Sequence, residues 1–220
     1  MSQPSLEVVT PAAAGDARRL TTPEKVKSAL RMTDTANDAL ITSIIDGVSA
    51  DCARETRLAR AGATDPTFGR ETLRATWRFS GGASSYKLLV LPWRTPVVSV
   101  ESVSVAGEVL DQNDFQVIAG GMIQRLSHGF TIGWWRAATV VEFVAGWDLP
   151  TGVPAGLEMR VIDQVKMQYL QTTRDPSIRS ENVPDVYEAS YGVIGGDSIG
   201  TSGLLKSLEE ALAPYTGWSV

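Results

Sequence analysis

The hydrophobic period of this chain changes twice, and that restricts the folds open to it more than any other feature. Over residues 36–58 apolar side chains recur at spacings of one, three and four (Leu40, Ile41, Ile44, Ile45, Val48, Cys52). That is the stripe of an amphipathic helix. Over residues 73–79 the pattern becomes strict alternation, with Leu73, Ala75, Trp77 and Phe79 on one side and Arg74, Thr76 and Arg78 on the other. A half-buried strand has this period of two. Past Trp147 the helical spacing returns in Leu157, Val161, Ile162, Val165, Tyr169 and Leu170. A helical pattern does not bury its apolar residues as a strand, so helix, sheet and helix must follow one another.

Local signals set the borders. Thr21-Thr22-Pro23-Glu24 reads as a helix start: a threonine cap, a proline suited to the first helical position, and an acid at the positive helix end. Which threonine caps is left open. Val26, Ala29 and Leu30 line one face of that short helix. Further strands are expected at 86–91, 97–105, 115–118, 122–126 and 134–144, with Gly120-Gly121 as a hairpin turn and a bulge where the valine phase slips after Val100. Residues 1–19, rich in Pro, Ala and small polar residues, are expected to form a flexible arm. The stretch 174–203, with Pro176, Pro184 and a run of glycines, reads as a mobile loop. Leucines at 204, 205, 208 and 212 mark a last helix, stopped by Pro214, within a C-terminal helix and tail at 204–220. The expected class is α+β: a small bundle of about four helices over 20–173, with an antiparallel β unit inserted at about 72–147.

Composition narrows the chemistry. At 220 residues, 43% apolar and 20% charged, the chain can bury the core of one large domain or two small ones. The net charge is −5 and no run of Lys/Arg exceeds two, so no phosphate-neutralising stripe exists. Tight hold on nucleic acid is not expected; passage of nucleic acid is allowed. Cys52 is the single cysteine, which rules out an intrachain disulfide and suits a helix-packing thiol in a reducing cytoplasm. No signal peptide is expected, and no apolar run approaches the ~20 residues that span a bilayer.

Catalytic patterns fail one by one. His128, the only histidine, lies in Leu126-Ser127-His128-Gly129 with no Gly-x-Ser-x-Gly nearby, and reads as a solvent-facing turn residue. One His and one Cys cannot supply a zinc site, and no calcium-loop spacing occurs. Gly195 and Gly200 are spaced as in a phosphate loop, but the lysine that should follow is missing. No catalytic residue, cofactor or metal is expected. Six tryptophans remain to be explained. Trp77 and Trp147 read as core or core-edge residues. Neighbouring strand residues face opposite sides, so for Trp134-Trp135 either both faces of the strand are covered or one ring lies where another chain covers it. Trp93 and Trp218 join them as candidates for subunit contacts.

Four segments, in order, resemble one family. "LTTPEKVKSALR" with "DTANDALITSIIDGV", then "LPWRTPVVSVESVSV", then "TVVEFVAGWDLPTGVPAGLEMRVIDQV", then "LEEALAPYTG" are similar to the phage head–tail connector (adaptor) family, in the subtype also found in gene transfer agent particles. The likeness covers about residues 20–217. It implies a homo-oligomeric ring, a dodecamer, mounted beneath a portal protein at the neck of a virion and assembled in the bacterial cytoplasm. Stopper or tail proteins would lie beyond it, DNA would pass through without specific binding, and no membrane would be involved. It also implies that the C-terminal segment, with Leu204, Leu205, Leu208, Leu212, Tyr215 and Trp218, reaches the portal, so that removing 203–220 leaves a folded monomer unable to dock. Trp93, Trp134 and Trp135 are the candidate subunit contacts. The chain departs from the family in its N-terminal arm and in its 189–203 glycine segment. Two other classes compete: another virion part (a stopper, a tail-terminator or a Trp-rich glycan-binding module), and an enzyme with an acidic site.

Overall fold

The computed structural model describes residues 4–61, 65–79, 86–92, 96–118, 120–134, 137–172, 180–183, 187–190 and 203–216. Its elements fall into two units: a sheet unit drawn mainly from residues 1–18 and 57–148, and a helical unit from 19–56 and 149–216. Helices and antiparallel sheets coexist, so the class is α+β as expected, with strands the more numerous element.

The sheet unit holds β1 (Ser5–Thr10), β2 (Glu71–Trp77), β3 (Leu88–Val90), β4 (Val97–Val105), β5 (Glu108–Val109), β6 (Phe115–Ile118), β7 (Met122–Ser127), β8 (Phe130–Ile132) and β9 (Thr139–Ala145). Five of them form one antiparallel sheet in the order β1-β2-β9-β4-β5. In the other sheet β7 is central, with β6 on one edge and β3 and β8 paired to successive parts of it. The alternation that predicted β2 is what fills the core. Leu73, Ala75 and Trp77 point inward and meet Val141, Phe143 and Ala145 of β9, Val103 and Val105 of β4, and Leu89 and Ile123 of the second sheet. Facing β2 and β9 residues pair directly, Leu73 with Phe143 and Ala75 with Val141. The slip after Val100 is present as a register shift between Val100 and Ser102, and a second one lies between Val97 and Ser99. Gly120 and Gly121 turn at φ 82° and 74°, the left-handed region a tight hairpin requires. Phe68 stacks on Trp147 at 4.9 Å, and beside them Gly146 sits at φ 106°, where a Cβ would lie 2.2 Å from the Gly69 carbonyl oxygen.

The first correction concerns the N-terminus. Residues 5–10, expected in a flexible arm, form the edge strand β1, paired with β2 from Ser5↔Thr76 to Val8↔Leu73. Leu6 and Val8 pack on the core. An edge strand needs only one partner and buries half its side chains, so its own composition signals it weakly. Behind it, the Ala12 N–H donates to the buried Glu71 carboxylate at 3.4 Å.

In the helical unit, α1 (Pro23–Leu30) is capped by Thr22, whose hydroxyl accepts the Lys25 N–H at 3.4 Å. This settles which threonine caps. α2 (Asp38–Glu55) ends where the Thr56 hydroxyl donates to the carbonyls of Cys52 and Ala53. Ile41, Ile45, Val48 and Cys52 are its buried stripe, while Leu40 is exposed. α3 (Ala155–Thr172) buries Leu157, Val161, Val165 and Tyr169 as expected, but Leu170 is exposed and Gln164 is fully buried. The Glu158 carboxylate accepts from Lys25 Nζ at 2.7 Å and from the Thr21 hydroxyl at 3.3 Å, tying α1 to α3. Within 174–203, expected as mobile loop, β10 (Ser180–Val183) and β11 (Tyr187–Ser190) pair as a hairpin; the remainder up to 202 lies outside the described residues. α4 (Lys206–Leu212) ends before Pro214 as expected, and a short 3-10 turn, Ala213–Tyr215, follows it.

Candidate assembly surfaces

Among the described residues no three His, Cys, Asp or Glu side chains stand together as metal ligands, and no helix is long and apolar enough to cross a membrane. His128 is exposed at φ 51° in the β7–β8 turn, where its Nδ1 meets the neighbouring Ser127 hydroxyl at 3.2 Å. An exposed turn position suits a surface residue, as its sequence context indicated.

The tryptophans separate. Trp134 is not on a surface: its indole is 1% exposed within the sheet-unit core, and its backbone N–H donates to the Tyr86 carbonyl at 2.8 Å. Enclosed by its own chain, that ring has no face left for a second subunit. Trp93, Trp135 and Trp218 lie outside the described residues.

The C-terminal leucines also separate. Leu204, Leu208 and Leu212 are at most 1% exposed, in the helical unit where α4 packs on α3. Leu205 and Tyr215 are half-buried. The approach to α4 is held by Gln164, whose Oε1 accepts the Leu205 N–H at 2.8 Å. Gln164 is fully buried, and its Nε2 has no hydrogen-bond partner among the described residues. The apolar spacing of α3 gave no sign that a polar residue on this helix faces inward. A buried amide is worth keeping only where it does something apolar packing cannot, and here it satisfies a backbone donor just before a short helix that lacks a side-chain cap.

The two sheets of the sheet unit differ on their outer faces. On the five-stranded sheet Arg74 bridges strands: its guanidinium meets Glu142 at 2.6 Å and Glu7 at 3.5 Å. Hydrogen bonding to Glu142 and its charge hold Arg74 above its ordinary pKa. On the other sheet the register puts Leu88, Val90, Ile118, Met122 and Leu126 on the face turned from the core. Sequence reading passed over this face. The available signal was consecutive apolar residues, Leu88-Leu89-Val90 and Met122-Ile123, which mark strands apolar on both sides.

No protein-family model matches the chain, and a search of curated proteins finds none that matches. Solved structures do. The chain is similar to one from the neck of an empty GTA particle computed with C6 symmetry, at 17% identity and TM-score 0.53, covering 98% of this chain and 96% of that one. It is similar to another from the neck of a native GTA particle computed with C12 symmetry, at 15% identity and TM-score 0.52, with the same coverage. A third, from the virion of a native gene transfer agent particle, shares 19% identity at TM-score 0.50 over 81% of this chain and 89% of that one. At such identities what is shared is the fold.

Proposed function

We propose that this chain is a structural ring subunit in the neck of a phage-like particle, an adaptor between portal and tail, with DNA passing through its channel and no catalytic role. One observation carries the reading: the fold likeness to neck chains runs over 98% of this chain and 96% of theirs, so an entire architecture is shared rather than a common fragment. Four sequence segments in the family's order support it independently. Necks computed with C6 and C12 symmetry favour a ring of identical copies, and we take twelve as its number. We also read the β unit as an insertion between α2 and α3 of the bundle. For the portal contact we propose Leu205, Tyr215 and the segment through Trp218 as the touching residues. Leu204, Leu208 and Leu212 then act from inside, by holding α4 in place.

The test is electron microscopy of particles from producing cells, with this chain labelled at Met1. Label in a ring at the head–tail junction is the expected result. Label at the tail tip would replace the adaptor with a glycan- or surface-binding module, and absence from every particle would remove the virion reading altogether.

A further inference from the structure

Building on the ring reading, we propose that the uncharged outer face of the sheet of β3, β6, β7 and β8 is where one copy of this chain meets the next. Leu88, Val90, Ile118, Met122 and Leu126 form its apolar part; Val90 is 47% exposed and the other four are half-buried. Gln116, Gln124 and Thr131 complete it, with the Gln124 amide donating to the Thr131 hydroxyl. None of these eight side chains ionises. The solvent face of an antiparallel sheet is ordinarily polar. This molecule follows that rule on its other sheet, where Glu7, Arg74 and Glu142 form ion pairs across strands. In a chain that is 20% charged, loss of every charge from one sheet face matches the centre of a protein interface.

The same features indicate the occupant. Nucleic acid would need cations, and the described residues of the face supply none. A strongly charged partner surface would lose hydration there with nothing to pair with. Three strands wide and one six-residue strand long, the face covers about 300 Å², against ~800 Å² per partner in a stable pair. It is too small for a stable independent dimer, so free copies meet there only transiently, an encounter that photocrosslinking at high concentration captures. It suits a contact repeated around a ring, where a template brings copies together and each gains from both neighbours. The chains that share this fold come from assemblies computed with C6 and C12 symmetry, in which copies are related about an axis. A second copy of this chain is therefore the partner.

The experiment uses the full chain carrying Gln124→Cys, labelled with a maleimide photocrosslinker, and a control carrying Ser104→Cys on the outer face of the other sheet. Cys52 is buried and its thiol is pushed up to about 12, so only the introduced cysteine takes the label. On illumination at rising protein concentration, the Gln124→Cys chain is expected to give several-fold more adduct of twice the chain mass than the control. Adding Val90→Lys should abolish that excess while leaving the melting curve in place. Equal yields from the two labels, or an excess that survives Val90→Lys, overturns the proposal. The chain found in the neck without the excess would remove this surface and keep the ring reading. The excess without the neck location would do the reverse.

Discussion

Cys52 lies on the inward stripe of α2, fully buried. Burial pushes its thiol from 9.0 up to about 12, and the charge of Asp51 adds to the shift. Its linkage to folding has a definite sign. Below pH 9 both folded and unfolded chains keep the proton; between 9 and about 12 only the unfolded chain releases it. Stability therefore falls as pH rises through that window. A Cys52→Ala variant is expected to start lower, because of the lost packing, and to lose less of its Tm between pH 9 and 11. Parallel slopes in the two melting series would show that the thiol does not titrate this way. Sequence spacing alone identified this residue as a packing thiol. It could not identify Gln164, whose partner, the Leu205 N–H, is 41 residues away.

Among the elements, α4 is the one whose role the structure changes. A seven-residue helix is too short to persist in water by itself, and it is held by Leu204, Leu208 and Leu212 packed in the helical unit. Leu208→Ala is expected to cost about 2–5 kcal/mol, as for a buried leucine that leaves a cavity, measured as a shift of the urea midpoint at unchanged slope. A cost below about 1 kcal/mol, the level of an ordinary surface substitution, would mean α4 is not held this way. By the same reasoning, removal of 203–220 strips three core side chains and should unfold the helical unit rather than leave an intact monomer that fails to dock. β1 is the converse case. It looks like an arm in sequence because only Leu6 and Val8 of its six residues are committed to the core, and its strand character depends on β2.

For the whole molecule, the charge is unevenly divided. The sheet unit has ten basic and ten acidic residues, while the helical unit has ten basic and fifteen acidic, so the entire net charge of −5 belongs to the helical unit. A chain without a basic stripe should let DNA pass without gripping it. Purified protein is expected to leave the mobility of duplex DNA unchanged at about 0.1 M salt. A retarded band that fades as salt is raised would show a phosphate-binding surface and would count against free passage.

By itself the sequence determined the class, the succession of helices, sheet and helices over residues 20–172, the α2 and β2 stripes and the Gly120-Gly121 turn. Each of these is written in residues within a turn or a strand's length of one another, where hydrophobic period and turn chemistry act directly. Tertiary structure alone decided that residues 5–10 are a strand, that Trp134 and three C-terminal leucines face inward, and that the described residues on one sheet face carry no charge. Those outcomes depend on partners far along the chain: the contact of Glu7 with Arg74 spans 67 residues. Period tells which side a residue shares with its neighbours. Only packing decides whether that side meets the core, water or a second copy.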